Sequence, residues 1–79
     1  MQTATVVAMN AKDLVRVRRM AATGTARAIR EEAGLSLAEL AEAAAVHKVS
    51  VFRWEHGSRR PRGLAAERYL KVLDELVSR

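Results

Sequence analysis

Three arginines crowd round the chain's single proline in Arg59-Arg60-Pro61-Arg62, a few residues beyond Lys48 and Arg53. A guanidinium is planar, always charged and forked, so it matches the paired oxygens of a phosphate or carboxylate. Between residues 46 and 63 these cations face one acid, Glu55, for a net charge of +4. Residues 1–24 carry +3, residues 25–45 carry −2, and residues 64–79 are neutral. The formal charge of +5 and a pI near 10.8 point to a polyanionic partner. Most charge runs are solvated faces. This one coincides with a pair of short helices, which favours a functional reading.

Other chemistries lack their parts. His47 and His56 are the only histidines, nine positions apart, with no cysteine and no acidic cluster at metal-ligand spacing. No glycine-rich phosphate loop is present, and no nucleophile, base and orienting group can be assembled. Neither an enzyme nor a cofactor or metal site is expected. Without cysteine there is no disulfide or thiolate site, which fits a reducing cytoplasm. Seventy-nine residues make one domain, and a domain near this size buries only about 60% of its unfolded surface.

The residues that must position the cations run from Leu35 to Gly57. Ser36 with Glu39 three residues on matches a capping box, in which each side chain satisfies a backbone N–H of the other. Leu37, Leu40, Ala41 and Ala44 follow at helical spacing as one apolar face. Val46 interrupts at a turn, and a second helix begins near His47 or Lys48. In it Val51 and Trp54 point inward, while Lys48, Val49, Phe52, Arg53 and His56 fall on the other side. Gly57 can take the left-handed conformation that closes a helix. Helices this short need the rest of the chain packed around them.

This pattern resembles the helix-turn-helix of the phage repressor and Cro type, also called the xenobiotic-response-element family. The likeness rests on the small Ala41 at the helix crossing and on apolar Leu40, Ala44, Val46, Val51 and Trp54. It includes Arg30 four residues before Gly34, the ending Trp54-Glu55-x-Gly57, and Pro61 after a basic stretch. It covers Arg27 to Leu76, about two-thirds of the chain. Ala45 departs from it, because that turn position is usually Gly; at positive φ an alanine costs on the order of 1 kcal/mol.

The resemblance implies an all-α fold, a small helical bundle with a lambda-repressor-like helix-turn-helix core at 36–57. It implies that the helix from His47 to His56 enters the major groove of double-stranded DNA by its N-terminal end. Base reading then falls on Lys48, Val49 and Arg53. Arg53 can reach guanine O6 and N7, and Val49 a thymine methyl. Phe52 is either a further methyl contact or packed against a neighbour. Backbone contacts are implied for Ser36, Leu37, His47, Ser50, His56, Arg59, Arg60 and Arg62. Leu37 replaces the amide side chain that often follows the cap. Arg30 and Glu55 are implied to form an internal ion pair.

The remaining segments frame this core. Met1 to Met9 carries no charge and is read as a tail, or as a short strand pairing with a second subunit. It is too short to span a membrane and lacks the basic start of a signal peptide. Residues 10–79 form the helix-turn-helix domain, with an extra N-terminal helix from Ala11 to Ala22 capped by Asn10. The arginines of that helix, Arg16, Arg18 and Arg19, are solvated, or touch further phosphates, or meet a second subunit; the sequence does not choose. Thr25 is expected to cap a helix over 26–33 with Ile29 as its clearest core residue. The loop 58–63 has little reason to be buried. A last helix from Leu64 to Val77, with Leu64, Tyr69 or Leu70, Leu73, Leu76 and Val77 inward, covers Trp54. Apolar surface left near Tyr69 is the expected subunit interface. With no room for a sensor domain, the chain is expected to be a small Cro-like transcriptional repressor. It would bind DNA as a homodimer and be largely monomeric when free, with no small-molecule ligand and no membrane. The alternative is an antitoxin or regulator that also binds a protein partner.

Overall fold

The computed structural model describes residues 9–78, which form five helices and no strand. The tail lies outside the described residues except Met9, which is half-buried against the core and belongs to the folded part. Helix α1 spans Ala11–Ala22. Asn10 caps it by accepting from the Asp13 N–H at 2.8 Å, and Asp13 and Arg19 suit the two ends of its dipole. Helix α2 spans Thr25–Glu32 and begins at Gly24 without a side-chain cap. Thr25 is therefore the first helical residue; its hydroxyl lies 2.9 Å from that of Thr23 instead.

Helices α3 (Leu37–Ala44) and α4 (Lys48–Glu55) make the compact angle at the centre. The capping box at the start of α3 is complete. The Ser36 hydroxyl oxygen accepts from the Glu39 N–H at 3.0 Å, and the Glu39 carboxylate accepts from the Ser36 N–H at 2.8 Å. Three helix ends share one closure, with a paired reach-back of two N–H groups around a left-handed residue. After α2 the bonds are Leu35 N–H to Arg30 O and Gly34 N–H to Glu31 O. After α3 they are Val46 N–H to Ala41 O and Ala45 N–H to Glu42 O, and after α4 Ser58 N–H to Arg53 O and Gly57 N–H to Trp54 O. The pivots are Gly34, Ala45 and Gly57, so the middle turn holds an alanine at φ 57°.

Helix α5 (Gly63–Val77) lies across the back. Leu40, Val51, Tyr69, Leu73 and Val17 are fully buried, and Trp54 meets Tyr69 with ring centroids 4.6 Å apart. The Tyr69 hydroxyl is buried without a hydrogen-bond partner among the described residues. Burial above all, and then the Glu55 charge, push its pKa up.

Several inward positions differ from the sequence expectation. In α2 the buried residues are Ala26 and Arg30, with Ile29 only half-buried. Small Ala21, Ala26, Ala41, Ala44 and Ala66 sit in the core, where close helix crossings leave no room for larger side chains. In α5 both Tyr69 and Leu70 are buried, whereas Leu64 and Val77 are exposed near the helix ends. Tyr69, being fully buried, is no part of an outer surface. Pro61 is fully buried as well, so the basic loop is pinned at its middle.

Candidate nucleic-acid interface

The orientation of α4 is set from behind. Val51 and Trp54 are buried, and Glu55, one residue on, takes Arg30 in a two-point ion pair. Arg30 Nε donates to Glu55 Oε2 at 2.7 Å and Nη2 to Oε1 at 3.0 Å. Its third nitrogen donates to the Leu35 carbonyl at 2.9 Å, so one guanidinium joins α2, the α2–α3 turn and α4. The hydrogen bonds it donates to Glu55 hold the Arg30 pKa above its ordinary value. With its inner side locked, α4 turns Lys48, Val49, Phe52 and Arg53 outward.

That outward face is mixed. Val49 and Phe52 are 52% and 46% exposed, high for large apolar side chains. Phe52 does have one neighbour: its ring stacks on His56 at 4.0 Å between centroids. His56 Nδ1 lies 2.9 Å from the Phe52 carbonyl oxygen and donates to it. Phe52 is thus packed on one side and open on the other. Ser36, Leu37, Ala38, Lys48, Val49 and Phe52 line one apolar hollow. Leu37 is half-buried, packed against the core on one side and lining this hollow on the other. The Ser36 oxygen already accepts from Glu39, which leaves its hydroxyl proton to donate.

Arg53 faces a second, basic hollow. Arg18, Ser50, Arg53, Arg59, Arg60 and Arg62 line it, over a floor of Trp54 and Ala65, around a volume of about 410 Å³. No carboxylate lines it. The loop is fixed by the buried Pro61, whose carbonyl accepts from Arg18 Nε at 2.8 Å. His47 and His56 flank α4 at its two ends and are exposed.

The three arginines of α1 separate. Arg18 joins the basic hollow. Arg16 instead donates through both Nη groups to Asp74 on α5, each at 2.9 Å. Arg16 thereby joins α1 to α5. Arg19 lies with Lys12, Val15, Met20, Thr23 and Thr25 round a different hollow, which Arg16 also lines. Besides Arg16 to Asp74, two further links were not legible in the sequence: Arg18 to Pro61, and the bond from Arg68 on α5 to the Ala45 carbonyl at 3.4 Å. Both join residues far apart in the chain and leave no local signal. Among the described residues no group of acids, histidines and cysteines could hold a metal ion. No helix among them is long and apolar enough to cross a membrane.

Two short helices at a fixed angle, the second pinned inside by a buried ion pair and open outside beside a basic loop, define a helix-turn-helix protein. A model of the helix-turn-helix family matches residues 27–76. The chain belongs to that family, in its phage repressor and Cro type, and is a DNA-binding regulator with double-stranded DNA as its partner. Members are regulators rather than enzymes. No curated protein and no solved structure matches the chain.

Proposed function

We propose that the protein is a sequence-specific transcriptional repressor of the small Cro-like kind, with residues 10–79 as one DNA-reading domain and α4 as its recognition helix. One observation carries this reading. The outward face of α4 presents two cations and two apolar side chains, while the opposite face is immobilised by Val51, Trp54 and Glu55. The major groove admits one α-helix and offers donors, acceptors and methyl groups in a pattern that differs for each base pair. Arg53 reads a guanine through O6 and N7, and Lys48 donates to guanine or phosphate. Val49 and the open side of Phe52 meet thymine methyls.

Backbone contacts fix the register. Ser36 and the N–H of Leu37 face one strand at the start of α3, where an unpaired helix end favours phosphate. His47, Ser50 and His56 border α4, and Arg59, Arg60 and Arg62 hold the backbone beyond it. Two copies bind a two-fold site with half-sites about one helical turn apart. Exposed Val77, beside half-buried Ile29 and Leu76, offers apolar surface for the second copy. Selection of binding sites from random duplex DNA tests the reading. It is expected to return a symmetric consensus; a pool that stays random after selection would contradict sequence-specific function. Sedimentation of the saturated complex is expected to show two chains per duplex.

A further inference from the structure

We propose that Arg18, on the helix outside the family match, is a DNA-phosphate contact in its own right. Arg18, Arg59, Arg60 and Arg62 line the hollow between α1, α4 and the loop 58–62 that takes the DNA backbone, and Arg18 neutralises a phosphate there that the loop arginines do not. The proposal rests on the DNA-binding reading and extends it to α1.

Three observations lead there. Arg18 spends only its Nε, on the Pro61 carbonyl; among the described residues both Nη groups have no partner. The bond fixes the guanidinium against a fully buried residue, so the fork is held rather than left to sweep solvent. The hollow gathers five guanidinium groups with the Ser50 side chain and no acid. Like charges gathered without a counter-charge repel one another, and a bound anion relieves that repulsion. Arg16, two residues earlier, shows the contrasting case: it has a carboxylate partner and lines other hollows. A phosphodiester has the right chemistry, with one negative charge and two free oxygens for a planar fork. Its source is the duplex already engaged by Arg53, which lines the same hollow.

Two roles for Arg18 must be separated: contact with phosphate, and positioning of the loop through Pro61. Arg18→Gln separates them, because the glutamine amide nitrogen occupies the place of Nε and can still donate to Pro61 but carries no charge. Arg18→Ala removes both. The measurement is affinity for the selected duplex and for a scrambled one across a salt series, with thermal melting of each variant alongside.

Arg18→Gln is expected to melt like the wild type. It should weaken binding to both duplexes about fivefold near 0.15 M salt and flatten log affinity against log salt by about 0.9, the signature of one phosphate no longer neutralised. A wild-type affinity and slope in Arg18→Gln, with weakening only in Arg18→Ala, would reduce Arg18 to a loop anchor and overturn the proposal. A wild-type protein that binds neither duplex would overturn the DNA reading itself, so the two failures look different.

Discussion

Two arginines in this molecule grip a carboxylate through two nitrogens, and the two grips differ in where they sit. Arg30 and Glu55 have side chains only 10% and 2% exposed, whereas Arg16 and Asp74 stand 48% and 47% exposed. The hydrogen-bond lengths are nearly the same, 2.7 and 3.0 Å against 2.9 and 2.9 Å. Geometry alone therefore does not rank them. Water does. A buried charge that loses its partner keeps its desolvation cost, while an exposed one is rehydrated at once. The inner pair thus fixes the angle of α4, and the outer pair trims the packing of α1 on α5.

The largest expected effect follows from the inner grip. Arg30→Ala or Glu55→Ala leaves a buried charge unpaired and should cost about 3–5 kcal/mol. A domain of this size has a total stability of only about 4–12 kcal/mol, so either variant comes close to unfolding. The double substitution should cost clearly less than the sum of the two. Urea titrations of the four proteins measure this. Simple additivity would mean that the pair is not coupled and that α4 is held by Val51 and Trp54 alone.

A smaller effect is expected at the turn between α3 and α4. The closures at Gly34 and Gly57 use glycine, and the equivalent one uses Ala45 at φ 57°. A Cβ in that conformation costs roughly 1–2 kcal/mol, partly offset by the greater freedom of glycine in the unfolded chain. Ala45→Gly should therefore stabilise the fold by about 1 kcal/mol, or about 4–8 °C in Tm. Calorimetry would show it, and a fall in Tm would mean that the alanine methyl packs favourably at the turn.

The outer grip should matter least. Asp74→Asn is expected to cost about 0.2–1 kcal/mol at neutral pH, the range of exposed pairs. The hydrogen bonds from Arg16 hold the Asp74 pKa below its ordinary 3.8. A lowered folded-state pKa gives stability that is present above the unfolded value and lost as pH falls through the folded one. Wild type and Asp74→Asn should thus differ above pH 3.8 and converge as the pH drops below it. A cost as large as that of Glu55→Ala would erase the contrast between the two grips.

The same contrast explains what could be read from the sequence. Local signals came through: the bounds of α1 at Ala11 and Ala22, the Ser36–Glu39 box, and the inward Val51 and Trp54. They depend on neighbours within one turn of helix. What failed depends on how helices cross. Apolar spacing alone cannot say that Ala26 rather than Ile29 is fully buried, or that Leu64 and Val77 overhang the ends of the core. The helix-turn-helix was legible because several residues at linked spacings carry it together. The placement of Arg18 was not, since its partner Pro61 lies 43 positions away. Of the candidate contacts, the α4 and loop residues could be named from the pattern, but the sequence offered no means of choosing among Arg16, Arg18 and Arg19.

The central claim is that α4 reads bases while the loop holds phosphates, and one set of titrations tests it most directly. Arg53→Ala and the triple replacement of Arg59, Arg60 and Arg62 by Ala are each titrated onto selected and scrambled duplexes at several salt concentrations. Arg53→Ala should lose about 1–3 kcal/mol of discrimination at one base pair and bind scrambled DNA nearly as before. The triple variant should weaken on both duplexes alike and flatten the salt slope by about 0.9 for each phosphate it no longer neutralises. If Arg53→Ala instead lowers both affinities equally and keeps the preference, α4 is not the reading element. The regulator that also binds a protein partner would then be the better account.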